Sequence, residues 1–281
     1  MTRLCISIDV EDDLPGVLAT GMRKGIEEGL PNLLTVLDEF HIQGDFFFLA
    51  PIANENPDLV TRLLKAGHSI GNHGLDHRPL CAKPIEKQLE DIRDSTHILE
   101  RLCATRPTIF RAPNFSASPS TIRVLEQAGY LTDSSVLPGR YLNRFRIFRV
   151  YDHRGASQEP YWPLGNDQGQ GGNGVLEVPV TANPLQPGTP FGLGALNRFG
   201  ITPLIGFLKA TELDTVVFLA HPWEATDIAS AYPGVPEAYT KVCSSDLSLL
   251  REFVRAAHSI AEFCTLEQIS ELTRGRLLAE R

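Results

Sequence analysis

The 281-residue sequence predicts an α/β protein: one curved parallel sheet wrapped as a single-domain (β/α) barrel over residues 1–281, whole or incomplete. Two observations predict it. Short apolar runs rich in β-branched and aromatic residues alternate with segments punctuated as helices, and strand followed by helix, repeated, implies parallel pairing. The length suits a single large core, as α/β barrels of this size commonly form one domain, and no internal repeat divides the chain.

The first apolar run, residues 4–10, reads as a buried strand that breaks off in carboxylates. Pro31 opens a helix over 32–40, since the proline ring is preorganised for a first helical turn. Residues 46–49 form the second strand. Pro57 opens the helix 58–66, which Gly67 ends, and 68–71 is the third strand. Residues 85–102 space Leu89, Ile92, Ile98 and Leu102 at helical intervals, as a helix lying outside a sheet would. A strand at 108–111 follows, then a helix started by Ser118 and Pro119 that runs out at Gly129. Residues 161–174 carry five glycines and are expected to be a solvated surface loop. The rhythm resumes with a strand at 175–180, a helix at 201–210, a strand at 215–220, a helix at 245–261, and a strand and helix around 264–274. Roughly five to eight strands in one curved sheet account for this pattern.

Composition excludes several classes. A hydrophobic share of 42% with 21% charged residues is that of an ordinary soluble protein, and no segment approaches the roughly 18 apolar residues of a membrane span. The net charge of -8 argues against a nucleic-acid partner. The start of the chain turns acidic at Asp9, too soon for a signal-peptide core, so a cytoplasmic location is expected. Cys5, Cys81, Cys103, Cys243 and Cys264 are odd in number and scattered, which reads as reduced thiols. Nothing in the composition bears on oligomeric state.

The chemistry concentrates at ends of predicted strands, where parallel α/β folds place reactive groups. Asp9, Glu11, Asp12 and Asp13 end the first strand. Packed together they repel and raise each other's pKa unless a cation neutralises them, so a metal is a natural partner; a solvated acidic turn before Pro15 is the alternative. His73 and His77 stand four apart, a spacing that sets two imidazoles on one face of a helical turn, within reach of one ion at roughly 2.0 to 2.1 Å. A carboxylate from the first segment would complete a set with positions left open for water and substrate. Strand alternation puts Glu11 on the side of Asp9, whereas a strand that ends or bulges after Val10 would let Asp12 reach instead. Arg111 ends a short strand, and His221 ends the apolar run 216–220.

Several segments together resemble one known family, the polysaccharide deacetylases. Ile8-Asp9-Val10-Glu11-Asp12 is similar to its first motif in a variant form, and Gly71-Asn72-His73-Gly74-Leu75-Asp76-His77 to its metal-binding histidine motif. Phe110-Arg111-Ala112-Pro113-Asn114-Phe115-Ser116 resembles the third motif, and residues 130–135, 176–179 and 218–224 resemble the later ones. The resemblance implies a distorted, incomplete barrel holding one divalent ion, usually zinc. It also implies roles: Asp9 as general base, His73 and His77 as metal ligands with Glu11 or Asp12, His221 as general acid, and Arg111 holding Asp9 ionised. Amide hydrolysis has these needs, a polarised carbonyl, an activated water and a proton for the departing nitrogen. Trp223 and Phe115 either line the sugar site or pack a turn.

The implied reaction is removal of an N-acetyl group from an amino sugar in a polysaccharide or glycan precursor. Residues 8–10 and 28–34 also resemble the start of deformylases of lipid-linked aminosugars. Hydrolysis of a small non-sugar amide, or a barrel that binds carbohydrate without turnover, are the remaining alternatives.

Overall fold

The computed structural model describes residues 1–144, 148–163 and 174–279. Most of the glycine-rich stretch, residues 164–173, lies outside them. Strand β1 (Thr2–Val10) shows why the sequence folds as it does: Leu4, Ile6, Ile8 and Val10 enter an outer apolar layer, while Cys5, Ser7 and Asp9 alternate to the inside. There follow α1 (Leu30–Glu39), β2 (Asp45–Phe48), α2 (Ala50–Glu55), α3 (Pro57–Lys65), β3 (Ser69–Asn72), α4 (Ile85–Cys103), β4 (Ile109–Phe110), α5 (Pro119–Gln127) and β5 (Thr132–Asp133). An antiparallel hairpin, β6 (Tyr141–Arg144) and β7 (Phe148–Asp152), interrupts the rhythm. The chain continues with β8 (Leu176–Glu177), α6 (Leu193–Phe199), α7 (Ile201–Ala210), β9 (Thr215–Ala220), the short α8 (Ile228–Ala231) and α9 (Glu237–Thr240), α10 (Ser248–Ala257), β10 (Ala261–Phe263) and α11 (Leu266–Ala279).

Among the described residues eight strands form one parallel sheet in the order β10-β1-β2-β3-β4-β5-β8, with β9 also on β1. The sheet curls into an incomplete barrel. Among the described residues no ladder joins β8 to β9; instead Val217 N donates to Thr181 Oγ1 at 2.9 Å and Leu219 N to Phe191 O at 3.0 Å across the gap. The outer layer holds Phe46, Phe48, Phe191, Phe218 and Phe253 beneath the helices, whereas Phe47, Val217, Leu219 and Leu176 pack inside the barrel. No helix among the described residues is long and apolar enough to cross a membrane.

Three expected boundaries change. The helix expected over 245–261 ends at Ala257, because Ala261 is needed as a strand partner for Thr2. The strand expected over 175–180 has regular pairing only at Leu176–Glu177. Residues Gly25–Gly29 form a π-helical turn ahead of α1, where no helix was expected. Its glycines meet the turn Pro222–Ala225: a Cβ added at Gly29 would lie 1.9 Å from Pro222 O, and one at Gly25 would lie 2.5 Å from Trp223 N. Glycine is therefore what allows the turn behind His221 to seat on the barrel.

The bottom of the barrel is closed by α11, whose Leu266 and Ile269 join the interior cluster. Both carboxylate oxygens of buried Asp45 accept from Leu266 N, at 3.1 and 3.0 Å, and Glu267 accepts from Ser69 Oγ at 3.1 Å and Thr108 Oγ1 at 2.9 Å. Burial, reinforced by Glu267, pushes Asp45 up to about 8 against the opposing Leu266 N–H and Arg111. The ordinary aspartate value is about 3.9. The folded protein thus keeps a proton that the unfolded chain has lost, and stability declines through this group as pH rises from about 4 to about 8. Asp45→Asn is expected to flatten that part of the pH profile of urea unfolding, and an unchanged slope would assign it to another group. Gly29→Ala is expected to cost about 1 to 3 kcal/mol by overpacking, read from the same unfolding midpoint.

Candidate active site

The carboxyl-terminal ends of the strands bring Asp9, Glu11, His73, His77, Arg111 and His221 together. Alternation carries β1 inward at Ser7 and Asp9, and Glu11 continues the same side one residue past the strand. The Arg111 guanidinium, fully buried, donates from Nη1 to Asp9 Oδ1 at 2.7 Å and to Ser7 Oγ at 3.0 Å. Its remaining nitrogens are met by Ser134 O at 3.0 Å and Ser134 Oγ at 2.9 Å, and it lies 4.2 Å from the centroid of the Phe47 ring.

His73 Nδ1 is 2.8 Å from Arg111 O. A carbonyl only accepts, so Nδ1 carries the proton and Nε2 faces the cavity as a free ligand atom. His73 and His77 do not share a helical turn, contrary to the expectation from their spacing. Asn72 ends β3 buried, its Nδ2 donating to Ser95 Oγ at 2.8 Å and Tyr130 Oη at 2.6 Å while Oδ1 accepts from Gly74 N at 2.7 Å. Gly74 then turns at φ +90°, which glycine adopts readily, and the chain loops back to present His77. The Asn114 amide nitrogen holds that ring from behind, 3.2 Å from both His77 Nδ1 and His77 O.

Ligand atoms of Glu11, His73 and His77 lie within 4.8 Å of one another. Glu11 Oε2 is 2.7 Å from His77 Nε2 and 3.4 Å from His73 Nε2, yet Glu11 Oε2 and His73 Nε2 are buried without hydrogen-bond geometry to any group. Buried polar atoms left unsatisfied around one point are what a cation site looks like, and two imidazoles with one carboxylate fit a divalent metal. Asp12, weighed as a rival ligand, lies outside this cluster. Its side chain turns outward, Oδ1 accepting from Arg23 Nε at 2.8 Å and Oδ2 from Gly21 N at 2.9 Å. The strand runs straight through Val10 without a bulge, so alternation selects Glu11. Asp13 is also placed apart, accepting from Tyr232 Oη at 2.7 Å and Gly25 N at 2.9 Å.

The four acids are therefore not packed against one another, each having partners of its own, although burial and, to a lesser degree, the charge of Asp12 still raise Asp13. Burial alone would raise the Glu11 carboxyl, but His77, His73 and His221 hold it well below the ordinary carboxylate range. His221 follows β9, its Nε2 3.6 Å from Glu11 Oε1 and its Nδ1 3.4 Å from Glu224 Oε2. Burial lowers its pKa, and Glu224, Glu11 and Asp9 together outweigh that and lift it to about 9. Glu224 was not singled out from sequence; its place three residues after His221, where it also accepts from His221 N at 2.8 Å, was the available signal. The cavity is about 420 Å³, and both Phe115 and Trp223 line it, with Trp223 stacked 4.8 Å from His221.

Residues 12–132 match the family model of polysaccharide deacetylase. This stretch contains His73, His77 and Arg111; Asp9, Glu11 and His221 lie beyond its ends. A peptidoglycan-N-acetylglucosamine deacetylase of Bacillus cereus is 31% identical over 102 residues, 36% of this chain and 47% of that protein. The chain thus spans less than half the length of this relative. The whole fold is similar to that of a putative polysaccharide deacetylase from Mycobacterium smegmatis, with a TM-score of 0.67 at 21% identity over 98% of this chain and 91% of the other. It is also similar to the fold of an allantoinase, with a TM-score of 0.66 at 18% identity over 96% and 89% of the two chains.

Replacing Glu11, His73 or His77 by alanine is expected to weaken metal retention by at least the roughly tenfold that loss of an outer-shell partner costs. Asp12→Ala is expected to leave it unchanged. Elemental analysis of the purified variants reads both, and a loss confined to Asp12→Ala would reverse the assignment.

Proposed function

We propose that the chain is a polysaccharide deacetylase, as the match of residues 12–132 to that family model supports, and thus a metal-dependent amide hydrolase that removes an N-acetyl group from an amino sugar of a polysaccharide or glycan precursor. The observation that carries this reading is the meeting, in one cavity, of a cluster fit for a metal with a carboxylate and an imidazole suited to opposite proton transfers. Glu11, His73 and His77 would hold the ion, and zinc suits their mixed imidazole and carboxylate donors. The ion would supply Lewis acidity, acidifying water and polarising the amide carbonyl.

The protein's own groups do the rest. Arg111 occupies Asp9 Oδ1, which leaves Oδ2 facing the cluster, 4.0 Å from His73 Nε2. From there Asp9 takes the proton of the attacking water. His221 stands as imidazolium at neutral pH and gives its Nε2 proton to the departing amine nitrogen, while Glu224 beside Nδ1 steadies the charged ring. Phe115, Trp223 and Leu219 line the cavity and limit water around the reacting carbonyl.

His221→Ala is expected to keep its metal and lose about 10²- to 10⁴-fold in kcat, the usual contribution of positioned proton transfer. Full activity in that variant would remove His221 from the reaction. Incubation with N-acetylated chito-oligosaccharides and peptidoglycan fragments should release acetate. Release of formate from formylated aminosugars, with no acetate, would redirect the proposal to a deformylase, and release of neither from any aminosugar would overturn it.

A further inference from the structure

The reaction above leaves two guanidinium groups in the cavity unused, Arg140 and Arg198. Arg140 is half-buried and held by neutral groups alone. Its Nε donates to Tyr151 Oη at 3.0 Å, its Nη1 reaches Gly188 O at 3.4 Å, and its guanidinium carbon lies 5.3 Å from the centroid of the Phe115 ring. Tyr151 Oη donates in turn to Asn114 O at 2.7 Å, and Asn114 is the residue that holds His77. Arg140 is thereby fixed in orientation relative to the metal cluster. Arg198, on α6, has its guanidinium carbon 5.3 Å from the ring centroid of Phe199.

Neither has an acidic partner among the described residues. The acids lining the cavity are Asp9, Glu11 and Glu224, and each is engaged, with Arg111, with the histidine cluster and with His221 respectively. A chain with an excess of eight negative charges has carboxylates to spare, yet among the described residues none forms an ion pair with either cation. For Arg140, half-buried and oriented, the lack of a counter-charge is costly unless a ligand completes it, while exposed Arg198 adds only its charge; the planar guanidinium fork matches a carboxylate or phosphate.

We propose, on the amide-hydrolase reading of this site, that Arg140, aided by Arg198, binds an anionic group, a carboxylate or a phosphate monoester, on the same molecule whose amide is cleaved. The preferred substrate is then an acidic amide and not a neutral chitin-like chain.

The test uses the metal-loaded enzyme with N-acetylglucosamine 1-phosphate, N-acetylmuramic acid and N-acetylglucosamine. Wild type should show kcat/KM at least about tenfold higher for one of the two acids than for the neutral sugar, as a charge-assisted contact gives. Which acid wins tells phosphate from carboxylate. Arg140→Gln should collapse that ratio through KM, Arg140→Lys should restore part of it, and Arg198→Gln should lower it to a lesser degree. Equal kcat/KM for all three compounds in wild type, or a ratio unchanged in Arg140→Gln, would overturn the proposal. Calorimetric titration with N-acetylglucosamine 1-phosphate separates the two readings. Binding that depends on Arg140 without acetate release supports the anion site while sinking the amidase reading. Binding equal in wild type and Arg140→Gln overturns the anion site whatever the turnover.

Discussion

The buried guanidinium of Arg111 is the constraint on which the rest of the site depends. A cation with no exposure to water must have every donor met, and here the partners come from several strands: Ser7 and Asp9 from β1, Phe47 from β2, and Ser134 from beyond β5. The backbone of the same residue adds β3, since Arg111 N donates to Asn72 O at 2.9 Å and Arg111 O receives His73 Nδ1. Removing one member of a buried pair costs about 3 to 5 kcal/mol because its partner is left uncompensated. One residue thus fixes Asp9, His73 and the curvature that brings them together. Behind it, Asp133 and Glu177 face each other in register on β5 and β8, both buried. Burial raises Asp133 to about 6, and burial together with the charge of Asp133 lifts Glu177 well above its ordinary value.

Much of this was legible in the sequence, for a physical reason. A parallel strand buried on both faces must be apolar until it stops, so the residue where polarity begins marks a strand end, and strand ends carry the chemistry. Asp9, Arg111 and His221 announce themselves in this way. What was not legible depends on contacts distant in sequence. The choice of Glu11 over Asp12 turns on where the β1 ladder with β2 stops and on Arg23 taking Asp12 away. The arrangement of His73 and His77 follows from the hydrogen bonds of Asn72 to α4 and Tyr130, which a four-residue spacing does not encode. Gly25 and Gly29 reveal their role only against a turn some two hundred residues away. Arg140 carries no motif at all; its meaning comes from having no acidic partner among the described residues.

The third-motif segment also shows strain. Asn114 and Phe115 both adopt φ 57°, a left-handed conformation uncommon for residues with a side chain and costing of order 1 to 3 kcal/mol each. The surroundings hold them there: Tyr151 Oη on Asn114 O, the amide of Asn114 against His77, and the guanidinium of Arg140 over Phe115. The hairpin β6–β7, an interruption in the βα pattern, is what brings Tyr151 to this place. An apparent digression in the fold is thus a brace for the cavity wall.

The pairing of β1 has a consequence for how the protein comes into being. Thr2 pairs with Ala261 and Ile8 with Ala220, so two of the three neighbours of β1 lie more than two hundred residues along the chain. Contacts of such separation close large loops before they return any stabilisation, and they fold slowly. During synthesis β1 can pair early with β2 alone, and its other edge waits, apolar and unpaired, until β9 has emerged. The carboxylates that end β1 stand beside an unfinished edge in that interval, and His221, just past β9, is the last residue of the cluster to arrive. An apolar strand edge left open in that interval is open to pairing with other chains until β9 covers it.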